Sequence, residues 1–370
     1  MELSDIIINR IKQEGPVSFH DYMDMALYYP GLGYYTSPGN KIGSKGDYVT
    51  APYITPVFGA MLGKQIEEMW RIMLQPSVFA IVEYGAGTGL LCNDILDYAI
   101  SNKNFYQSIR YYIIEKNPSV NSFAKDGSIH TTTIHHANAI EDIGVFTGCV
   151  LSNELVDNFA IHRIVMDKDV KEVYVDYNNA FTEISRNAFS PLKEYIKELD
   201  IHLSEGYKTE VNLDAITWLQ KISRFLQKGY IITIDYGYLS EELYNTRRNN
   251  GTLMCYHMHE LDDDPYFKPG RQDITSHVNF SALHHWGKKH GLSSCGFTTQ
   301  AAFLLSLGFK SHLHNIVSKG KDIVKAALHE AIVTRTLLLD MGQRFKVLIQ
   351  QKGIRQAALS GFQLHSEVLM

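Results

Sequence analysis

The chain has 370 residues, 45% hydrophobic and 20% charged, an ordinary globular balance with enough apolar material for one large core or two modest ones. A formal net charge of -5 argues against a protein that works by gripping long nucleic acid, and the four cysteines Cys92, Cys149, Cys255 and Cys295 lie far apart with no C-x-x-C pair, as reduced core thiols do. No run of about eighteen apolar residues predicts a membrane span, and the acidic start Met1-Glu2-Leu3-Ser4-Asp5 is unlike a transit or signal peptide, so the expected compartment is the cytoplasm.

Residues 4 to 27 predict two short helices broken at Gly15-Pro16, the first with Ile7 and Ile11 on one face. A segment rich in Gly, Pro and Tyr follows, from Tyr28 to Pro52, whose aromatic density suits an ordered lid over a substrate; Asp47 and Thr50 are its candidate substrate contacts. Pro56 to Leu74 then has Phe58, Leu62, Ile66, Met69 and Met73 at helical spacing.

The most informative stretch is Ala80-Ile81-Val82-Glu83-Tyr84-Gly85-Ala86-Gly87-Thr88-Gly89, followed by Leu91, Ile95 and Ala99 at helical spacing. It reads as a buried strand, a tight glycine turn and a helix start, the arrangement that offers free backbone N–H groups to a nucleotide-like cofactor. The spacing is G-x-G-x-G, with Leu90 where a dinucleotide fingerprint carries its third glycine. Glu83 adds negative charge beside the loop, which repels a pyrophosphate and suits an amino group and a sulfonium. The predicted cofactor is therefore S-adenosyl-L-methionine (SAM), held by Glu83, Gly85, Gly87 and Gly89.

A second strand, Tyr111 to Ile114, ends in Glu115, whose carboxylate is placed to accept both ribose hydroxyls. Asn138 falls where a third strand should end and is a candidate for the adenine side. Gly148 to Ser152 forms a fourth strand that runs into Asn153, Glu154 and Asp157, with Asn153 assigned to the cofactor and both acids to the methyl-transfer side. If the segment turns helically, Glu154 and Asp157 share a face.

His162 to Asp176 predicts a hairpin around Asp167-Lys168-Asp169, and residues 190 to 228 are expected to be mostly helical. Gly229 to Tyr236 is a further strand ending at Asp235. Residues 240 to 280 have the polar and ring composition of a binding loop; His257 and His259 alternate, yet no compact ligand spacing accompanies them, and no metal is expected. Ser281 to Ile354 is expected to be helical with one β-like segment, and this tail offers a surface for a homodimer. Three consecutive regions result: 1–77, N-terminal helices and lid; 78–240, a Rossmann-like α/β core with an inserted hairpin and helices; and 241–370, an α+β substrate side and C-terminal helices.

Several blocks, in order, resemble the MidA family of SAM-dependent methyltransferases: Leu27-Tyr28-Tyr29-Pro30-x-x-Gly33-Tyr34-Tyr35, Gly46-Asp47-Tyr48-Val49-Thr50-Ala51-Pro52, the Glu83 to Gly89 loop, Ser152-Asn153-Glu154-Leu155-Val156-Asp157, Ile234-Asp235-Tyr236-Gly237, Gly251 to Tyr256 and Gln272-Asp273-Ile274-Thr275-Ser276-His277-Val278. The resemblance implies methyl transfer to a protein side chain, arginine in family members, with a respiratory-complex subunit among the partners. It also implies that Gln272, Asp273 and His277 line the site with Asn153 and Glu154. The catalytic set expected is Glu154, Asp157, Asp235 and His277. Tyr53 and Asn279 stand where the family carries acids. Two other readings compete at this point, a nucleotide-dependent oxidoreductase and a non-catalytic assembly factor that keeps a SAM pocket.

Overall fold

The computed structural model describes residues 2–39, 41, 43, 49–117, 134–257, 260–318, 322–355, 357–367 and 369. Two compact units share the chain. One takes Met1–Tyr48, Val156–Leu219 and Gly237–His285; the other takes Val49–Leu155, Gln220–Tyr236 and Trp286–Met370. The N-terminal region 1–77 thus contributes to both.

The second unit is a twisted α/β sheet built from β1 (Phe79–Tyr84), β2 (Ile109–Ile114), β3 (Ile134–Ala137), β4 (Phe146–Asn153), β5 (Leu226–Tyr238), β6 (Ser293–Thr299) and β7 (Phe345–Lys352). Across the sheet the order is β3-β2-β1-β4-β5-β7-β6. The pairs β1 with β2, β1 with β4, β2 with β3 and β4 with β5 are parallel, while β7 runs antiparallel to both its neighbours. The chain moves outward from β1 to β3 and then returns to the other side of β1 at β4. The tips of β1 and β4 therefore form a topological switch point, where ligands of open α/β sheets bind.

The core strands read as apolar runs because both sheet faces are covered. Helix α1 (Pro56–Ile72) packs Phe58, Leu62, Ile66 and Met69 into one core with Leu91, Ile95 and Leu96 of α2 (Leu90–Ala99). The two helices lie close: a Cβ added at Gly59 would sit 2.3 Å from the Asp94 Cβ. The segment Phe345–Lys352, expected to be helical, is instead strand β7, buried at Val347, Leu348 and Ile349. A short apolar run flanked by polar residues carries no period that separates the two states, and pairing with β5 and β6 decides it.

The first unit opens with helices Leu3–Glu14 and Phe19–Tyr28, the latter capped by the Ser18 hydroxyl, which accepts the Asp21 N–H. His162–Asp167 and Asp169–Tyr177 form the expected hairpin, with Lys168 in the left-handed region at the turn. Between helices Ser190–Glu198 and Leu213–Phe225, Lys208–Val211 adds a strand to this sheet beside His162–Asp167; the reading of 190 to 228 as mostly helical missed it. Residues 254–275 carry a small three-stranded sheet. Among the described residues no helix is long and apolar enough to cross a membrane.

Candidate active site

In the second unit, Gly85, Gly87 and Gly89 have φ of 68°, 53° and 72°, all in the left-handed region that favours glycine. Gly89 is the N-cap of α2 and no side chain caps that end, so the first turn presents backbone N–H groups. Loop and strand are tied together: the Gly85 N–H donates to the Ile114 carbonyl at 2.9 Å. Glu115, just past β2, accepts the N–H of Gly87 at 3.2 Å and of Asn117 at 2.8 Å. Burial pushes the Glu115 carboxyl up, against these backbone bonds that hold it down.

Glu83 turns into the sheet and is 3% exposed, where it accepts the Tyr111 hydroxyl at 2.6 Å. Burial raises its pKa to about 7, with the Tyr111 bond opposing and the Glu115 charge adding to the shift. Asn138 lies exposed beyond β3, with its backbone N–H on the Asp142 carboxylate at 3.0 Å.

At the end of β4, Asn153 donates its side-chain amide to the Glu154 carboxylate at 3.1 Å. The chain then turns sharply, because Glu154 has φ of 54°. Its N–H donates to the Ile234 carbonyl at 3.0 Å, and the next N–H, of Leu155, donates to Asp235 at 3.2 Å. Asp235 is 0% exposed and also accepts the Tyr236 N–H at 3.0 Å. This left-handed residue stops the segment from continuing as a helix, so Glu154 and Asp157 do not share a helical face; only Val156–Asn158 forms a short 3₁₀ turn.

These residues fit SAM. Buried acceptors at the β4 tip, Ser152 Oγ and Asn153 Oδ1, have no hydrogen-bond partner among the described residues, as a site for a ligand amino group requires. The glycine loop and the uncapped helix end supply donors, and Glu115 supplies a carboxylate for hydroxyls. Thr50 belongs to this unit as the N-cap residue of the short helix Ala51–Ile54, and Asp47 lies outside the described residues.

The first unit holds the other expected residues. Asp273 is buried and accepts the Tyr35 hydroxyl at 2.8 Å, and Tyr35 stacks on Tyr28 with ring centroids 5.6 Å apart. Gln272, 1% exposed, donates to the Asp264 carbonyl at 2.9 Å and leaves its Oε1 without a partner among the described residues. Asp157 is buried, and its carbonyl accepts the Ser276 N–H at 3.1 Å. The His277 N–H donates to the Thr252 hydroxyl at 3.1 Å, and its ring lies 5.3 Å from that of Tyr238. Thr252 in turn donates its N–H and hydroxyl to buried Glu210 at 2.9 and 3.1 Å.

Sequence reasoning missed these supporting groups, Tyr111, Tyr35, Thr252 and Glu210. Tyr35 and Thr252 do stand in conspicuous motifs, but Glu210 sits in an unremarked stretch. His257 bonds through Nδ1 to the Arg271 carbonyl at 2.9 Å, His259 lies outside the described residues, and among those described no cluster suits a metal ion.

Asn279 takes a clear structural role. Its Oδ1 accepts the Ala282 N–H at 3.2 Å at the start of helix Phe280–Lys289, and its Nδ2 donates to the hydroxyls of Tyr195 and Tyr244 at 2.9 and 3.3 Å. Tyr53, in the other unit, is 43% exposed on the helix Ala51–Ile54.

Comparison with known proteins matches residues 61–298 to a family described as S-adenosyl-L-methionine-dependent methyltransferase. A solved structure from Burkholderia thailandensis, bound to S-adenosyl-homocysteine, is 28% identical and superposes with a TM-score of 0.85, covering 99% of this chain and 95% of that one. The protein arginine methyltransferase NDUFAF7 homolog of Drosophila melanogaster, mitochondrial, is 24% identical over 95% of this chain and 85% of its own length. The human mitochondrial protein arginine methyltransferase NDUFAF7 is 24% identical over 85% of this chain and 75% of its own. The expectation of a cytoplasmic protein, read from the acidic start, the unpaired cysteines and the lack of a long apolar run, does not stand: these relatives are mitochondrial.

Proposed function

Because the chain belongs to the MidA-like family of SAM-dependent methyltransferases and is itself such an enzyme, we propose that its methyl acceptor is an arginine side chain of a protein. Neither the oxidoreductase nor the scaffold reading is favoured by the same matches. Two relatives carry protein arginine methyltransferase in their names. The observation that carries the proposal is Glu154, an acid on a constrained left-handed turn at the end of β4, with its carboxylate steered by the Asn153 amide.

SAM supplies the methyl group. The chain must bind and orient the nucleophile, and take up the proton that the attacking nitrogen loses as its bond to carbon forms and the carbon–sulfur bond breaks. A guanidinium is planar and cationic, and a carboxylate is the group that holds it by paired charge-assisted bonds. Glu154 is the proposed orienting carboxylate. Gly85, Gly87, Gly89, Glu115, Asn138 and Asn153 are the proposed SAM contacts; the Glu83 carboxylate, expected among them, is instead buried against the Tyr111 hydroxyl. Asp157 and His277 keep their proposed catalytic roles, with His277 as proton acceptor, and Asp47, Thr50, Gln272 and Asp273 their substrate-side ones; Asp235, expected in the catalytic set, leaves it, because its buried carboxylate accepts the Leu155 and Tyr236 N–H groups. A respiratory-complex subunit is the first acceptor to try.

The test uses purified protein, radiolabelled SAM and protein fractions as acceptors, with the labelled residue identified by mass spectrometry. Label on arginine, with transfer lost and SAM binding kept in Glu154→Gln, is the expected result. Label on lysine or on a small molecule overturns the arginine reading.

A further inference from the structure

We infer that Asp235 is a positioning residue for the cofactor loop, acting through the backbone of Glu154 and Leu155 without touching the cofactor. Its carboxylate is fully buried and divides its two oxygens between backbone donors on two different strand ends: Oδ2 takes Leu155 N–H at 3.2 Å, Oδ1 takes Tyr236 N–H at 3.0 Å. The bond to Leu155 closes the turn in which Glu154 sits at φ of 54°, a region that residues with a Cβ enter at a cost and keep only where their surroundings fix them. The Glu154 N–H on the Ile234 carbonyl completes the clamp from the same strand.

The turn matters to the loop because Leu155 is the residue it aims at Gly85. A Cβ added at Gly85 would come within 2.8 Å of Leu155 Cδ1, so the leucine side chain fills the space beside the first glycine of the loop. The line of contact therefore runs from Asp235 through the Leu155 backbone and side chain to Gly85, whose N–H is in turn fixed to the end of β2. A carboxylate suits this role better than an amide, since it accepts on both oxygens, whereas Asn would turn an NH₂ group toward one of the two N–H donors. The inference concerns SAM binding alone and is independent of which residue accepts the methyl group.

Calorimetric titration with SAM and with S-adenosyl-homocysteine tests it. Asp235→Asn should weaken both by about tenfold or more, the loss of one charge-assisted bond and the repulsion that replaces it. Adding Glu154→Gly should restore affinity to within about threefold, because glycine holds a positive φ without the clamp. That rescue separates positioning from general destabilisation, which a second substitution in the same core would deepen. Should Asp235→Asn fail to fold, Leu155→Ala reports instead, with a cooperative melt and weakened binding of both ligands. Unchanged affinity in a folded Asp235→Asn, or in Leu155→Ala, overturns the inference, as does a double variant that binds no better than Asp235→Asn.

Discussion

Tyr111 donates its hydroxyl to Glu83 at 2.6 Å inside the sheet, across neighbouring parallel strands. The pair places an ionisable acid in the middle of an apolar core, where desolvation disfavours its charge and the phenol bond only partly compensates.

The acid's folded pKa of about 7 lies above its ordinary value, so the folded state holds a proton that the unfolded chain has already lost. Its contribution to stability is greatest at low pH, declines as pH rises from the ordinary carboxylate range through about 7, and is flat above. Glu83→Gln removes this titration and keeps an acceptor for Tyr111. We expect the variant to gain about 3 kcal/mol over the parent at pH 8 and little at pH 4, by urea denaturation at both pH values. A parallel pH dependence in the two proteins would show that Glu83 is not the group responsible.

Glu115 ties the loop to the second strand through the N–H groups of Gly87 and Asn117. Glu115→Ala deletes both bonds and the carboxylate proposed to hold the ribose hydroxyls. A loss of SAM affinity of about a hundredfold is expected by calorimetry, with a folded, cooperatively melting protein. Retained affinity would remove Glu115 from the binding set.

Asn279 separates a cap from a catalytic acid. Asp is as good an N-cap as Asn, and the Tyr195 and Tyr244 hydroxyls can reverse to donate to it. Asn279→Asp is therefore expected to fall within about 1 kcal/mol of the parent, while Asn279→Ala loses about 2 kcal/mol, read by urea denaturation. If Asn279→Asp instead raises methyl transfer severalfold at unchanged stability, the family's acid at this position serves chemistry and the capping account is incomplete.

His20 is stacked on His162 with ring centroids 4.6 Å apart and bonds to Asp21 and Asp214, each at 3.3 Å. Burial lowers its pKa, but the two carboxylates outweigh it and raise the value to about 10. The stabilisation is fully present below the ordinary histidine pKa and lost as pH climbs through about 10. Both acids are partly exposed, which screens the pairing, so Asp214→Asn should cost only about 1 kcal/mol at pH 6. The cost should shrink at pH 10; a constant difference across that range would place the effect elsewhere.

Strand-turn-helix chemistry was legible at Glu83 to Ala99 because three signals coincide there: an apolar run, glycines at positions that need positive φ, and a helical period behind them. Hairpin His162–Tyr177 was legible for the same reason, an alternating pattern on both sides of a polar turn. Strand β7 was not, since Val347, Leu348 and Ile349 are consecutive and their environment is set by β5 and β6, which lie far away in sequence. In the candidate site the acids could be named but not their orientation. Nothing in the local sequence says that Glu83 turns toward Tyr111, that Asp235 accepts the backbone N–H groups of Leu155 and Tyr236, or that Asn279 caps a helix. Each depends on a partner brought in by the fold.

Strand β7 also orders the events of synthesis. In the finished sheet it lies between β5 and β6, and its bonds run along nearly the whole length of β5. On the ribosome, β1 to β5 emerge first, leaving β5 with an open hydrogen-bonding edge, and β6 follows with no neighbour of its own to join. An exposed strand edge is a template for pairing with other chains until its partner arrives. A chain that ends before Phe345 therefore has its cofactor loop complete while the β5 edge that β7 covers is left unpaired, so its sheet cannot close.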